Sequence, residues 1–485
     1  MTNHAVLIAG AGPVGLMLAG ELALAGVDVA IIERRASQER IGPGALGLLP
    51  RTIEILDQRG IAERFISQGT LHKAVHFHVA LDVTDFPTRH NYMLGLKQKH
   101  IERILAEWVD ELNVPVLRGR EIAGFTQHDD GVEVTLASGE SLRAEYLIGC
   151  DGGRSVIRKT AGIDFAGWDA ATSWLITEAA TTEEPKWGFH KDATGTHAIG
   201  KADDGRVGIV LTERRLRTDG EPTLDNVREE LIAVYGTDFG IHSPQWISRF
   251  TDAARQAATY RDRRVLLAGD AAHVHAPLGG QGLGNGLQDV MNLGWKLAQV
   301  VKRISPASLL DTYHAERHPE GARVLRNTMA QVALSRPDDR TKALSGIVSG
   351  IFALDEPRKR LAGMMSGLDV HYDLGAGHPL LGRRMPDLDL ATADGSLRLF
   401  TLLHGARAVL LNLGEPGKFD VAPWADRVQL FDAKYVGAWE LPVLGSIDPP
   451  TAVLIRPDGY VAWVGDEAQQ GFTDALAKWF GPPEV

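Results

Sequence analysis

AVLIAGAGPVGLMLAGELALAGVDVAIIE, residues 5–33, changes character three times in a short space. It opens on a short apolar run and passes through Gly10, Gly12 and Gly15. It continues at helical spacing to Gly26, then closes on a second apolar run ending at Glu33. The pattern predicts strand, glycine turn, helix and strand, with G-x-G-x-x-G at the first turn. Glycines there let the backbone approach a pyrophosphate, whose charge is favoured by the N–H groups and dipole at the helix start. Glu33 stands where such units carry the carboxylate that binds a ribose. An acid at that place, rather than a base, points to an unphosphorylated adenosine ribose, as in FAD or NAD.

A second stretch repeats the theme far downstream. In VLLAGDAAHVHAPLGGQGLGNGLQD, residues 265–289, a buried-strand signal ends at Gly269-Asp270, and a glycine-rich run from Gly279 to Gly286 leads into a helical pattern. A carboxylate at a strand end accepts hydrogen bonds from polyol hydroxyls such as a ribityl chain. The N–H groups at the helix start favour negative charge on a ligand. Pro277 presets a rigid turn. The plain alternative is a strand, a loop and a helix with Asp270 as N-cap.

The 485 residues allow two to four domains. A net charge of −11 speaks against a nucleic-acid surface. The single cysteine, Cys150, rules out a disulfide framework and points to a reducing cytoplasm. The apolar N-terminal stretch is broken by Glu21 and Asp28 and lacks a basic leader, so no membrane segment is expected. The pair His273-x-His275 stands alone, and no metal site is expected.

Three motifs, GAGPVG (10–15), CDGGRSVIR (150–158) and AGDAAHVHAPLGGQGLGNGLQD (268–289), stand in the order found in group A flavoprotein aromatic hydroxylases. The chain resembles that family over nearly its whole length. ERIGPGALGLLPRTIEILDQRG (39–60) and LLDTYHAERHPEGARVLRNT (309–328) resemble, more narrowly, hydroxylases that tailor aromatic polyketides, a pattern shared by rifamycin-modifying and tetracycline-inactivating monooxygenases.

The resemblance implies noncovalent FAD, NADPH or NADH as reductant, and hydroxylation of a polycyclic phenol by O₂ through a flavin C4a-hydroperoxide. Its cofactor set falls on Gly10, Gly12, Pro13, Val14 and Gly15, on Glu33 and Arg34, and on Arg51, Gln98 and Asp151. It continues on Gly269, Asp270, Pro277, Gly280, Gly282, Leu283 and Gly284. No side chain is assigned a catalytic role, because the flavin carries the chemistry. Two departures stand out. The family has Arg at the place of Gly44, and it reads Gln-Gly-(Leu/Met)-Asn where Gly284 here precedes Asn285. Alternatives are Baeyer–Villiger insertion, antibiotic inactivation, or a flavin-bearing protein that binds ligand without turnover.

The expected architecture is α/β. A Rossmann-type FAD-binding domain takes residues 1–170 and 260–385, and an inserted antiparallel-sheet substrate domain takes 171–259. A thioredoxin-like domain without redox cysteines takes 390–485. Within the insert, Trp174, Trp187, Phe189, His190 and His197 read more readily as sheet packing than as ligand contacts, and Asp203-Asp204-Gly205 reads as a turn. The protein is expected to be a monomer or homodimer.

Overall fold

In the computed structural model, residues 3–202, 205–218, 220–393, 395–465 and 469–484 are described. Asp203 and Asp204 lie outside them. The strand Asn3–Ala9 forms the centre of the main sheet because Val6, Leu7 and Ile8 are fully buried. It runs parallel to Val29–Glu33 on one side and Ser141–Gly149 on the other. Val265–Leu267 and Val116–Arg118 extend the parallel order outward. The strands that lead into Gly10 and into Gly269 therefore end at the same edge of one sheet, although more than 250 residues separate those glycines in the chain.

The helix Pro13–Leu24 is apolar around most of its circumference because it is covered on two sides. A Cβ on Gly20 would lie 2.2 Å from the Trp108 ring of the helix Gln98–Glu111. One on Gly294, in the helix Gln281–Val301, would lie 2.7 Å from the Glu21 side chain. Bare backbone at these positions is what allows the helices to pack so closely.

A five-stranded antiparallel sheet carries residues 173–251 in the order Gly188–Lys191, Thr196–Lys201, Val207–Thr212, Ser173–Ala180, His242–Thr251. Its Leu175, Ala179, Ile209 and Leu211 side pack with the helix Leu224–Tyr235 through Val227 and Leu231.

Near the C-terminus, Val428–Asp432, Ala408–Asn412, Ala452–Ile455 and Val461–Gly465 form a four-stranded sheet followed by the helix Phe472–Phe480. The first pair is parallel and the other pairings are antiparallel, the thioredoxin-like order. Leu410 and Leu454 join the apolar core of the main sheet, together with Trp479 and Phe480.

Polar side chains then close the seam between these two parts. Arg59 grips Glu21 through two nitrogens and donates to the carbonyls of Leu403 and Pro457. Arg456, fully buried, donates to both oxygens of Glu316 at 2.7 and 2.9 Å and to Asp458. Lys296 reaches Glu316 from the other side at 2.9 Å. Burial pushes the Glu316 carboxyl up, but Arg456 and Lys296 outweigh it and hold the group down at about 2.

Candidate active site

The first glycine turn is shaped by contacts that tolerate no side chain. A Cβ on Gly15 would sit 2.0 Å from the Gly10 carbonyl oxygen, and Gly10 has a φ of +103°. Gly12 differs, since a Cβ there would meet nothing within 4 Å. It caps the helix Pro13–Leu24 without any side-chain hydrogen bond, so the helix start opens onto clear space. That is the geometry an anionic pyrophosphate requires.

Glu33 braces the same turn. Its carboxylate accepts from the backbone N–H of Ala11 at 2.7 Å and of Arg35 at 2.8 Å. Burial acts to raise its pKa, yet these N–H groups and the Arg35 cation pull it below the ordinary value and keep it charged. Arg35 also donates to the Ala11 carbonyl and to Glu102. Arg34 is exposed instead. The adjacent arginines are indistinguishable in sequence, and only the exit direction of the strand decides that Arg35 turns inward. Glu102, fully buried, gathers Arg35, Arg40 and Gln98, and nothing in the sequence pattern singles it out.

Asp151 accepts from the N–H groups of Val156 and Ile157 at 2.7 and 3.2 Å, while its Oδ1 is buried without a partner. Neighbouring Cys150 is desolvated, which raises its thiol pKa far above the usual range and leaves it inert.

Asp270 and Asp289 divide the work of the second stretch. Asp270 is exposed, and among the described residues no hydrogen bond to its carboxylate is found, so the N-cap alternative is not what the structure shows. Asp289 is fully buried and accepts from the Gly269 N–H at 3.1 Å, from His273 at 2.7 Å and from Arg317 at 2.9 Å. It thereby anchors Gly269, whose φ is +61°, and fixes the backbone from which Asp270 projects. Pro277 and Gly280 are exposed beside it, and Gly282 and Leu283 are half-buried. Gly280 caps the helix Gln281–Val301 with no side-chain partner and clear space at its Cβ position. Two helix starts and one uncommitted carboxylate thus converge at one sheet edge, as an FAD molecule requires.

Burial lowers the pKa of His275, and its Nδ1 bonds the Ala276 carbonyl. Among the described residues, no group of three or more His, Cys, Asp or Glu side chains is placed to hold a metal ion.

Three of the expected residues are engaged by the protein itself. Arg51 is sealed away. It donates to Glu54 at 3.2 Å and to the Asp458 carbonyl at 3.1 Å, and it lies over the Tyr460 ring, so it serves the seam with the C-terminal sheet. Gly284 is buried, its Cβ position 2.6 Å from Thr52 Oγ1, so its departure from the family pattern concerns helix packing. Asn285 lies in the interior network, bonded to His273 and Arg317. Gln98 holds the 44–45 backbone through the Ala45 N–H at 2.8 Å. A Cβ on Gly44 would come within 2.7 Å of its Oε1, which explains the glycine without reference to a ligand.

One face of the five-stranded sheet lies away from its covering helix. Cross-strand neighbours place Phe189, Ala198, Val210, Ile176 and Ser248 on it, with Trp174 beside Phe250 and Glu178 beside Gly208 and Trp246. Trp174 and Phe250 stack at 5.1 Å with 13° between planes. Glu178 pairs at 3.5 Å with Lys97, the residue before Gln98. The pair puts this face opposite the Gly44 loop. His197 is fully buried and bonded to Thr212, a structural role. Trp187 is half exposed and donates to Glu184.

The chain matches the FAD binding domain family over residues 3–328 and the aromatic-ring hydroxylase C-terminal family over residues 378–483. It belongs to the FAD-dependent aromatic-ring hydroxylases and is a flavoprotein monooxygenase. It is 42% identical, over 100% of both chains, to 12-dehydrotetracycline 5-monooxygenase/anhydrotetracycline 6-monooxygenase of Streptomyces rimosus. It is also 42% identical to a rifampicin monooxygenase of Streptomyces venezuelae, over 98% of each chain. The solved anhydrotetracycline hydroxylase of Streptomyces rimosus superposes with a TM-score of 0.91, covering 99% of this chain and 100% of that one.

Proposed function

We propose that this monooxygenase hydroxylates a polycyclic phenol of polyketide type, using NAD(P)H and O₂. The observation that carries the reading is the pairing of an open sheet face with two helix starts that have no side-chain cap and one uncommitted carboxylate. FAD, when bound and reduced, supplies the activation of oxygen. In this reading the turn from Gly10 to Gly15 holds the pyrophosphate, Glu33 the ribose and Asp270 the ribityl hydroxyls. The start of the helix Gln281–Val301 favours negative charge on the ring. Trp174, Ile176 and Val210 present a flat apolar wall that orients the substrate and excludes water from the reacting atoms.

Purified protein loaded with FAD is expected to consume NADPH faster when anhydrotetracycline or a related polycyclic phenol is added, and to release product heavier by one oxygen atom. Ligand binding with no NADPH consumption would overturn the reading in favour of sequestration. A second reading, oxidative inactivation of an antibiotic, is favoured by equal identity to the rifampicin-acting relative. Product structure separates the two. We also propose that FAD is noncovalent, so that acid precipitation leaves the yellow colour in the supernatant.

A further inference from the structure

One turn of the helix Asp311–Leu334 meets the cofactor domain and the C-terminal sheet together. Tyr313 donates to the Leu267 carbonyl at 2.7 Å, two residues before Gly269. Glu316 accepts from Arg456 at 2.7 and 2.9 Å. Arg317, the next residue, is fully buried and spends its nitrogens on three different side chains. Nε donates to Asp289 at 2.9 Å, Nη2 to Asn285 Oδ1 at 2.6 Å and Nη1 to the Tyr372 hydroxyl at 3.2 Å. Asp289 in turn receives the Gly269 N–H at 3.1 Å.

Tyr372 lies between the helix Asp355–Ser366 and the C-terminal sheet. Its ring is held by residues of that sheet's hairpin. Tyr460 lies 4.3 Å away between ring centres, and the Arg456 guanidinium is 5.3 Å from the Tyr372 ring. Contacts therefore run unbroken from Tyr460 through Tyr372, Arg317 and Asp289 to Gly269. The far end has little slack. A Cβ on Gly269 would lie 3.0 Å from Val14, and one on Gly286 would lie 3.1 Å from the Gly269 Cα. A shift of Asp289 is thus felt at the turn from which Asp270 projects.

We propose that Tyr372 is a positioning residue for the flavin, through which the C-terminal sheet sets the Gly269–Asp270 turn. The inference rests on the assignment of Asp270 to FAD above and deepens it. Tyr460 holds the Tyr372 ring, the Tyr372 hydroxyl holds Arg317, and Arg317 fixes Asp289 against the Gly269 N–H. Without the hydroxyl, Arg317 Nη1 is left buried with no acceptor among the described residues. The guanidinium then moves to recover one and draws Asp289 with it. The C-terminal sheet, which carries no flavin motif of its own, acquires in this way a role in cofactor binding.

The test is FAD affinity of the full chain, read by fluorescence titration. Tyr372→Phe keeps the ring against Tyr460 and removes only the hydroxyl. It is expected to weaken FAD binding roughly 2- to 30-fold, the range for residues acting through a network of contacts. Because the effect passes through Asp270, the same substitution should cost nothing further in the Asp270→Ala background. A purely structural role predicts the same loss in both backgrounds. Tyr460→Phe is the control. Its hydroxyl is buried with no hydrogen-bond partner among the described residues, and its removal should leave FAD affinity at the parent's value.

Unchanged affinity in Tyr372→Phe overturns the inference and leaves the hydroxylase reading intact. So does an equal loss in the two backgrounds, or an equal loss in Tyr460→Phe. An Asp270→Ala variant that binds FAD like the parent overturns the assignment of Asp270 and the inference together.

Discussion

The cofactor cleft and the seam under the C-terminal sheet are built from the same residue types and finished in opposite ways. At the seam, Arg59 makes five hydrogen bonds and Arg456 is matched by two carboxylates. In the cleft, Gly12 and Gly280 cap helices without side-chain partners, and Asp270 stands exposed. A buried charge without a partner costs several kcal/mol, so the Arg59 and Arg456 cations must be matched for the seam to hold. A binding site must leave its polar groups free for a ligand. The difference separates residues that hold the molecule together from residues that await FAD.

Removing a partner at the seam should have the largest effect. Arg456→Met leaves Glu316 and Asp458 buried beside Lys296 alone, and is expected to cost about 3–5 kcal/mol. Urea unfolding of the FAD-loaded protein measures it, and a loss below about 1 kcal/mol would show that the seam carries little of the stability. A larger loss is anticipated for deletion of residues 390–485, which removes Arg456, the carbonyls that receive Arg51 and Arg59, and the core residues Leu410, Leu454, Trp479 and Phe480.

Acid should weaken the seam through Glu316. Glu316 is held at about 2 against an ordinary value of 4.5, so its contribution is complete above 4.5 and is lost as pH falls toward 2. By linkage that is at most about 3 kcal/mol. The check is the midpoint of urea unfolding at pH 5 and pH 3 in parent and Glu316→Gln, with the parent alone expected to show this part of the pH dependence.

In the cleft the effect should fall on the ligand rather than the fold. Asp270→Ala is expected to weaken FAD binding roughly 10- to 150-fold while changing the stability of the FAD-free protein by no more than about 0.5 kcal/mol. Fluorescence titration with FAD and a thermal melt read the two quantities separately. An unchanged FAD affinity would remove Asp270 from the site.

The smallest effect is expected at Gly284, which has a cleft motif in sequence and a packing role in space. Gly284→Ala places a methyl against the Thr52 hydroxyl, a strain offset by the roughly 1 kcal/mol that alanine gains over glycine within a helix. Stability should move by less than about 1 kcal/mol and the peroxide released per NADPH consumed should not change. A large rise in peroxide would return this residue to the flavin.

Much of the cleft was legible in the chain because its devices are local. A glycine turn between strand and helix, an acid closing the next strand, and an aspartate between a strand and a glycine run are each specified within a few residues. The thioredoxin-like character of the C-terminal sheet was readable through the family resemblance, and its strand order follows. What proved illegible was direction. Arg34 and Arg35 have the same chemistry, and only the twist of the strand end sends Arg35 to Ala11 and Glu102. Arg51 was assigned to the flavin by resemblance, yet Asp458 and Tyr460, some four hundred residues away, claim it.

The sequence by itself determined the cofactor-binding unit, since helix starts, turns and strand ends depend on neighbours in the chain. Tertiary structure alone decided which charges are consumed and which remain available. Lys97 meets Glu178, and Arg456 meets Glu316, only after separate elements pack. Whether such a charge serves stability or recognition depends on how much water the packing leaves around it.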